Sequence, residues 1–141
     1  MIMYFTNVHK IKTKEDTMPV LFVNGMPKAI CSKVEDIIPL LLEAVASVKG
    51  LDITKDDVTI FLPQDMIQKG LGEEITVFVE GLFDNEKRTP AVRQELASVI
   101  AQTIGNFVKG VEESWPVKCK KIEVFVKKFD SSKDGFTVIE L

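Results

Sequence analysis

Cysteine and histidine are scarce in this chain: Cys31, Cys119 and His9 are all that its 141 residues contain. Two thiols are too few for a disulfide framework. They and the one imidazole match neither a zinc-ligand spacing nor a Cys–His nucleophile pair, so no metal site is expected. Both thiols read as buried or half-buried groups in a reducing cytosol, and His9 as a solvated residue of a polar leader. Long apolar runs are missing too. Nothing approaches the roughly 20 residues that cross a bilayer, which speaks against a membrane partner. Met1 to Phe5 turns polar without a basic head, apolar middle or cleavage site, so a cytoplasmic location is expected. An excess of basic charge is also lacking: 18 Lys and Arg face 21 Asp and Glu, a net charge of −3. A nucleic-acid partner is therefore not expected, since tracking phosphates needs concentrated positive charge. A Gly-rich phosphate loop, a carboxylate dyad at helical spacing and a Ser-His-Asp set are all missing. That removes the common cofactor and hydrolase chemistries, and no cofactor is expected.

What the chain does have is periodicity. With 45% apolar and 28% charged residues in 141, it has the size and composition of one domain able to bury a core. Ser32-Lys33-Val34-Glu35 has the form of a capping box. Behind it Val34, Ile37, Ile38, Leu41, Leu42, Val45 and Val48 recur at helical spacing up to Gly50. Pro39 lies inside this run and is expected to bend the helix or loosen its first turns. Thr89-Pro90 opens a second helix, with the proline where its missing N–H costs nothing. Val92, Leu96, Val99, Ile100, Ile104, Phe107 and Val108 form its buried stripe, and Gly110 is the expected stop.

Runs rich in β-branched and aromatic residues flank both helices: Val20–Val23 and Val58–Leu62 around the first, Ile75–Phe83 and Ile122–Val126 around the second. The order is β-α-β twice, an α/β (α+β) domain with a four-stranded sheet and two helices on one face. An N-terminal extension (1–17) precedes a single domain (18–141). The domain divides into a βαβ unit (18–63), a linker (64–74), a second βαβ unit (75–130) and a C-terminal strand (131–141). That last segment, Phe136-Thr137-Val138-Ile139 after an Asp130 to Gly135 turn, is a candidate to pair with an edge on another subunit. Two topologies fit the order. A ferredoxin-like domain joins its middle strands by a short hairpin. Here about a dozen residues, with the apolar pair Met66 and Ile67, make that connection, which favours two separately wound units.

Particular residues carry a resemblance. Met18-Pro19-Val20-Leu21-Phe22-Val23-Asn24 with Pro27-Lys28, then Val58 to Leu62 followed by Pro63-Gln64-Asp65-Met66, then Val124 to Asp130 with Gly135-Phe136, resemble in order and spacing the tautomerase superfamily. The likeness is to proteins similar to macrophage migration inhibitory factor, and closest to a small bacterial branch beginning Met-Pro. It implies a tautomerase-like fold, a homotrimer, and keto–enol isomerisation of small carboxylates by a proline whose nitrogen is the catalytic base. That proline corresponds to Pro19. The chemistry requires a chain terminus: a terminal proline is a secondary amine, whereas the nitrogen of an internal proline is an amide delocalised into the carbonyl. The segment Met1 to Thr17 leaves two readings open. It is an added edge strand, since Ile2 to Val8 is apolar enough, or it precedes a true start at Met18. Lys14-Glu15-Asp16 can be encoded as AAG-GAG-GAT, a ribosome-binding sequence just upstream of Met18.

The resemblance also implies substrate-binding residues. Lys28 stands where related chains carry a carboxylate-binding arginine, Lys127 where a neighbouring subunit contributes a polar group, and Phe125 where a tyrosine stands. Lys55 is out of register with the family's catalytic lysine. As residues alone, Lys28 and Lys127 read as solvated charges on a loop and a strand face, and Phe125 and Phe136 as core or interface packing; Trp115, before Pro116, reads as a loop anchor. Two other functions stay open: a non-catalytic oligomeric binding or structural relative, and a ferredoxin-like regulatory domain that binds a small ligand.

Overall fold

The computed structural model describes residues 19–27, 33–63, 74–113 and 119–141. Within them the chain forms β1 (Val20–Asn24), α1 (Ile37–Ser47), β2 (Thr59–Phe61), β3 (Glu74–Phe83), α2 (Pro90–Glu112) and β4 (Lys121–Phe129). The expectations resting on Met1 to Met18 (His9 among them), Lys28, Cys31, Ser32, Met66, Ile67, Trp115 and Pro116 lie outside the described residues.

The strands lie in the order β2-β1-β3-β4. β1 and β2 are parallel neighbours, as are β3 and β4, and β1 runs antiparallel to β3. Each βαβ unit therefore keeps its own two strands side by side. A ferredoxin-like sheet splits each unit by placing a strand of the other between them, so that alternative is excluded. The result is an α+β domain with one mixed sheet.

Alternation along the strands decides which face is covered. Leu21 and Val23 of β1 and Ile75, Val77 and Val79 of β3 share one core with Ile37, Leu41 and Val45 of α1 and Leu96, Ile100, Ile104 and Val108 of α2. Both helices thus cover the same face, each presenting one apolar stripe. Among the described residues nothing covers the other face of the sheet.

Local chemistry sets the element ends, in places differently from the spacing alone. α1 proper begins at Ile37, after a 3-10 turn at Val34–Asp36. Pro39 falls in the first α-helical turn, where amides have no intrahelical acceptor, so it loosens the entry without a break in the helix. Thr89 caps α2 as expected, its hydroxyl accepting from the Val92 amide at 3.3 Å, with Pro90 at the first position. Gly110 does not stop α2, which continues to Glu112. Val111 is buried, and its burial outweighs the ~1 kcal/mol that a mid-helix glycine costs.

Residues 136–141 form no strand with the described residues of this chain, and the expected pairing is with an edge on another subunit. Asp130 instead nucleates a turn, its carboxylate accepting from the Ser132 amide (3.0 Å) and hydroxyl (2.6 Å). These bonds hold its carboxyl below the usual carboxylate range. Beyond the turn Phe136 packs edge-on against Phe83 (centroids 4.8 Å apart) and near Phe129 (6.2 Å). Val138, Ile139 and Leu141 are exposed. A strand needs a partner edge, and the Asp130 turn and ring cluster hold the root of this tail without offering one.

Candidate functional site

The open face of the sheet has an order that strand register explains. Phe22 of β1 lies opposite both Phe61 of β2 and Phe78 of β3, and Phe78 lies opposite Phe125 of β4. Four phenylalanines therefore form one row across all four strands. Phe22 stacks on Phe61 with centroids 5.3 Å apart, and Phe78 on Phe125 at 5.5 Å. Phe61, Phe78 and Phe125 remain 49%, 41% and 53% exposed, an apolar stripe beyond what scattered surface residues produce.

One end of this face carries the charged groups. β1 begins there, β3 and β4 end there, and a β-bulge lies between: Val79 pairs with Val126 and Leu82 with Lys128, so Glu80 and Gly81 together oppose Lys127. Gly81 has φ of 70°, in the left-handed region that a glycine enters without penalty. The extra residue shifts the alternation, so Leu82 turns into the core while Glu80 stays exposed. Beside the bulge and the start of α2, a hollow of about 620 Å³ is lined by Phe78, Phe125, Glu80, Lys127, Arg93 and Gln94, among others. Arg93 is half-buried, and its Nη1 donates to the Arg88 carbonyl at 2.6 Å. Among the described residues neither Arg93 nor Lys127 has a carboxylate within ion-pair distance, whereas Lys55, Lys87, Lys121, Lys128 and Lys133 each do. The lining runs round the β4 edge from the open face (Phe78, Glu80, Phe125, Lys127) to the start of α2 (Arg93, Gln94), and its two cations outnumber the one carboxylate, which suits a small anion.

The residues singled out from the sequence fall as follows. Phe125 and Lys127 share this hollow. Pro19 is buried, immediately before β1, and its carbonyl accepts from the Thr59 amide at 3.3 Å. It belongs to the same end of the sheet, since Val20 pairs with Glu80, but stands about 10 Å from β4 by two strand spacings. Lys28 lies outside the described residues; Asn24, where β1 ends, pairs with Thr76 at the opposite end of the sheet from Pro19.

Glu80, Gly81 and Arg93 were missed. A glycine within the run Ile75–Phe83 is a bulge signal, and Glu80 is the charge it presents. Arg93 occupies a helical position that reads as solvated. Arg88, only 2% exposed, was missed as well; its Nη1 donates to the Phe83 carbonyl at 2.9 Å and clamps the turn from β3 into α2. Cys119 is half-buried, and burial is the main cause that pushes its thiol above the ordinary value. It has the character of a packing residue rather than a nucleophile.

No family model and no curated protein matches the chain. Solved structures do. A protein of unknown function from Vibrio cholerae O1 biovar eltor str. N16961 is similar over 98% of this chain and 95% of its own, at 16% identity and a TM-score of 0.53. A fused 4-OT, wild type, solved as an asymmetric trimer, is similar over 83% of this chain and 91% of its own, at 16% identity and a TM-score of 0.54. The likeness is one of fold: two consecutive βαβ units in a tautomerase-like arrangement. Among the described residues no helix is long and apolar enough to cross a membrane.

Proposed function

We propose that three copies of this chain assemble through their open sheet faces and bind small carboxylates at the Pro19 end, and that a chain beginning at Pro19 is a keto–enol isomerase. The observation that carries the reading is that Val20, next to Pro19, pairs with Glu80, and that Glu80 lies at the bulge opposite Lys127, with Phe125 two residues back on β4. The distance from Pro19 to β4 within one chain makes the site a joint one. A neighbour's Phe125 and Lys127 come over Pro19 when the open faces meet. The exposed phenylalanine row supports that assembly, because covering it removes apolar surface from water. The fused 4-OT of like fold is itself a trimer. A reducing cytoplasm suits the free Cys119 thiol.

Proton transfer depends on the nitrogen of Pro19. As a terminal amine facing Lys127 of a neighbouring copy it has a lone pair and a pKa lowered by like charge. As an internal amide it has neither. Ketonisation of phenylenolpyruvate by chains starting at Pro19 and at Met1 separates the two states. The shorter chain is expected to be active by this route and to lose activity on Pro19→Ala; equal rates from the two chains, or survival of the rate in Pro19→Ala, remove Pro19 from the mechanism.

One observation favours a second reading, a non-catalytic binding module. In the full sequence Pro19 follows Met18, so its nitrogen is an amide without a basic lone pair. In that reading the hollow binds its carboxylate without the proline.

A further inference from the structure

We propose that the hollow round the β4 edge is a strand-docking site, and that its occupant is the C-terminal tail of a second copy, seated with its acidic end between Lys127 and Arg93. Successive β4 residues face opposite sides of the sheet, and the hollow takes both sets. Phe125 and Lys127 line it from the open face, Val124 and Val126 from the side that α2 covers. Space beside an edge strand that is lined alternately in this way has the form of one more strand. β4 is nine residues long, and its outer side carries no strand among the described residues. β2, the opposite edge, has three residues and offers much less. The centre of β4, Val124-Phe125-Val126, has no charge to turn a further strand away.

The chain supplies a segment of matching chemistry. Thr137, Val138 and Ile139 are β-branched, and Val138, Ile139 and Leu141 are exposed. Leu82 belongs to the core, so its neighbour Phe83 faces the open side, where Phe136 packs on it with centroids 4.8 Å apart. That contact draws the root of the tail over the open face, toward a neighbouring copy and away from the outer side of its own β4. Charge then sets the direction. In a strand added parallel to β4, Ile139 and Leu141 lie on the α2 side, along Val124 and Val126. Glu140 turns to the other side and meets Lys127, and the Leu141 carboxylate reaches Arg93. The antiparallel direction sends both carboxylates toward Glu74 and Glu123, which already hold Lys121 between them. Lys127 and Arg93 are also the cations of the small-carboxylate reading, so the tail competes with a free carboxylate; this competition alone rests on that reading.

The test compares the 141-residue chain with one ending at Thr137, which keeps the Phe136 contact. Amide hydrogen exchange across Val124–Lys127 is followed by NMR. In the full chain every one of these amides is expected to exchange slowly. In the shorter chain the alternate ones that point away from β3 are expected to exchange at least about tenfold faster. A peptide of residues 136–141 at millimolar concentration restores their protection, and 2-oxobutanoate displaces the peptide. Lys127→Glu is expected to release the same amides in the full chain, and Glu140→Lys added to that variant to recover them. Equal exchange in the full and shorter chains overturns the docking. Unchanged exchange in Lys127→Glu, or 2-oxobutanoate that binds without displacing the peptide, overturns the seat of the acidic end. A shorter chain that binds the peptide but not 2-oxobutanoate supports the docking and removes the carboxylate reading.

Discussion

Arg93 and Lys127 illustrate how far a single residue can be read before its neighbours are known. Lys127 stood out through the resemblance of the last strand. Arg93 did not, because an arginine three residues after a helix start reads as a solvated charge; its half-burial and its bond to the Arg88 carbonyl depend on how the chain turns into α2. Arg88 was illegible for the same reason, since nothing in Asn85-Glu86-Lys87-Arg88 says which charge turns inward. Replacing Arg93 or Lys127 by Met keeps the apolar stem and deletes the charge. Each change is expected to weaken 2-oxobutanoate binding by about 1–3 kcal/mol, with Lys127, the more exposed, at the lower end. Thermal midpoints should not move. Titration of both variants checks this, and binding equal to the parent's in both reduces these cations to surface charges.

At the scale of elements, strands and helices were legible because their periods differ, two residues against 3.6. Their irregularities were less so. Pro39 sits within a run of helical spacing, yet the α-helix proper starts only two residues before it, so it is tolerated. Gly110 carries the signal of a helix stop, but buried Val111 draws α2 on to Glu112. Gly50 has a packing reason that spacing does not reveal. A Cβ built there would lie 2.5 and 2.9 Å from the two methyl carbons of Val92, on the first turn of α2. Valine is stiff at χ1 and cannot swing away cheaply. Gly50→Ala is therefore expected to destabilise the fold by about 1–3 kcal/mol, and Val92→Ala in the same chain to recover part of the loss. Urea unfolding of the single and double variants measures the coupling; a Gly50→Ala chain as stable as the parent would mean that the Lys49–Leu51 turn and α2 shift apart freely. The tail shows the limit of pattern reading. Phe136 to Leu141 has strand-like residues, but a strand is a property of a pair, and no described residue of this chain supplies the partner.

For the whole molecule, the doubled βαβ order and the long connection between its halves pointed to the two separately wound units that the sheet order β2-β1-β3-β4 displays. The alignment of Phe61, Phe22, Phe78 and Phe125 into one row was not legible, because it depends on register between strands far apart in sequence. That row is what makes the open face an assembly surface in this account, and assembly is what joins Pro19 of one copy to Phe125 and Lys127 of another. Sedimentation equilibrium of the 141-residue chain at micromolar concentration tests this most directly. The account predicts a trimer, which Phe78→Lys, at the centre of the row, dissociates while the chain stays folded. A parent chain that sediments as a stable monomer or dimer would contradict it.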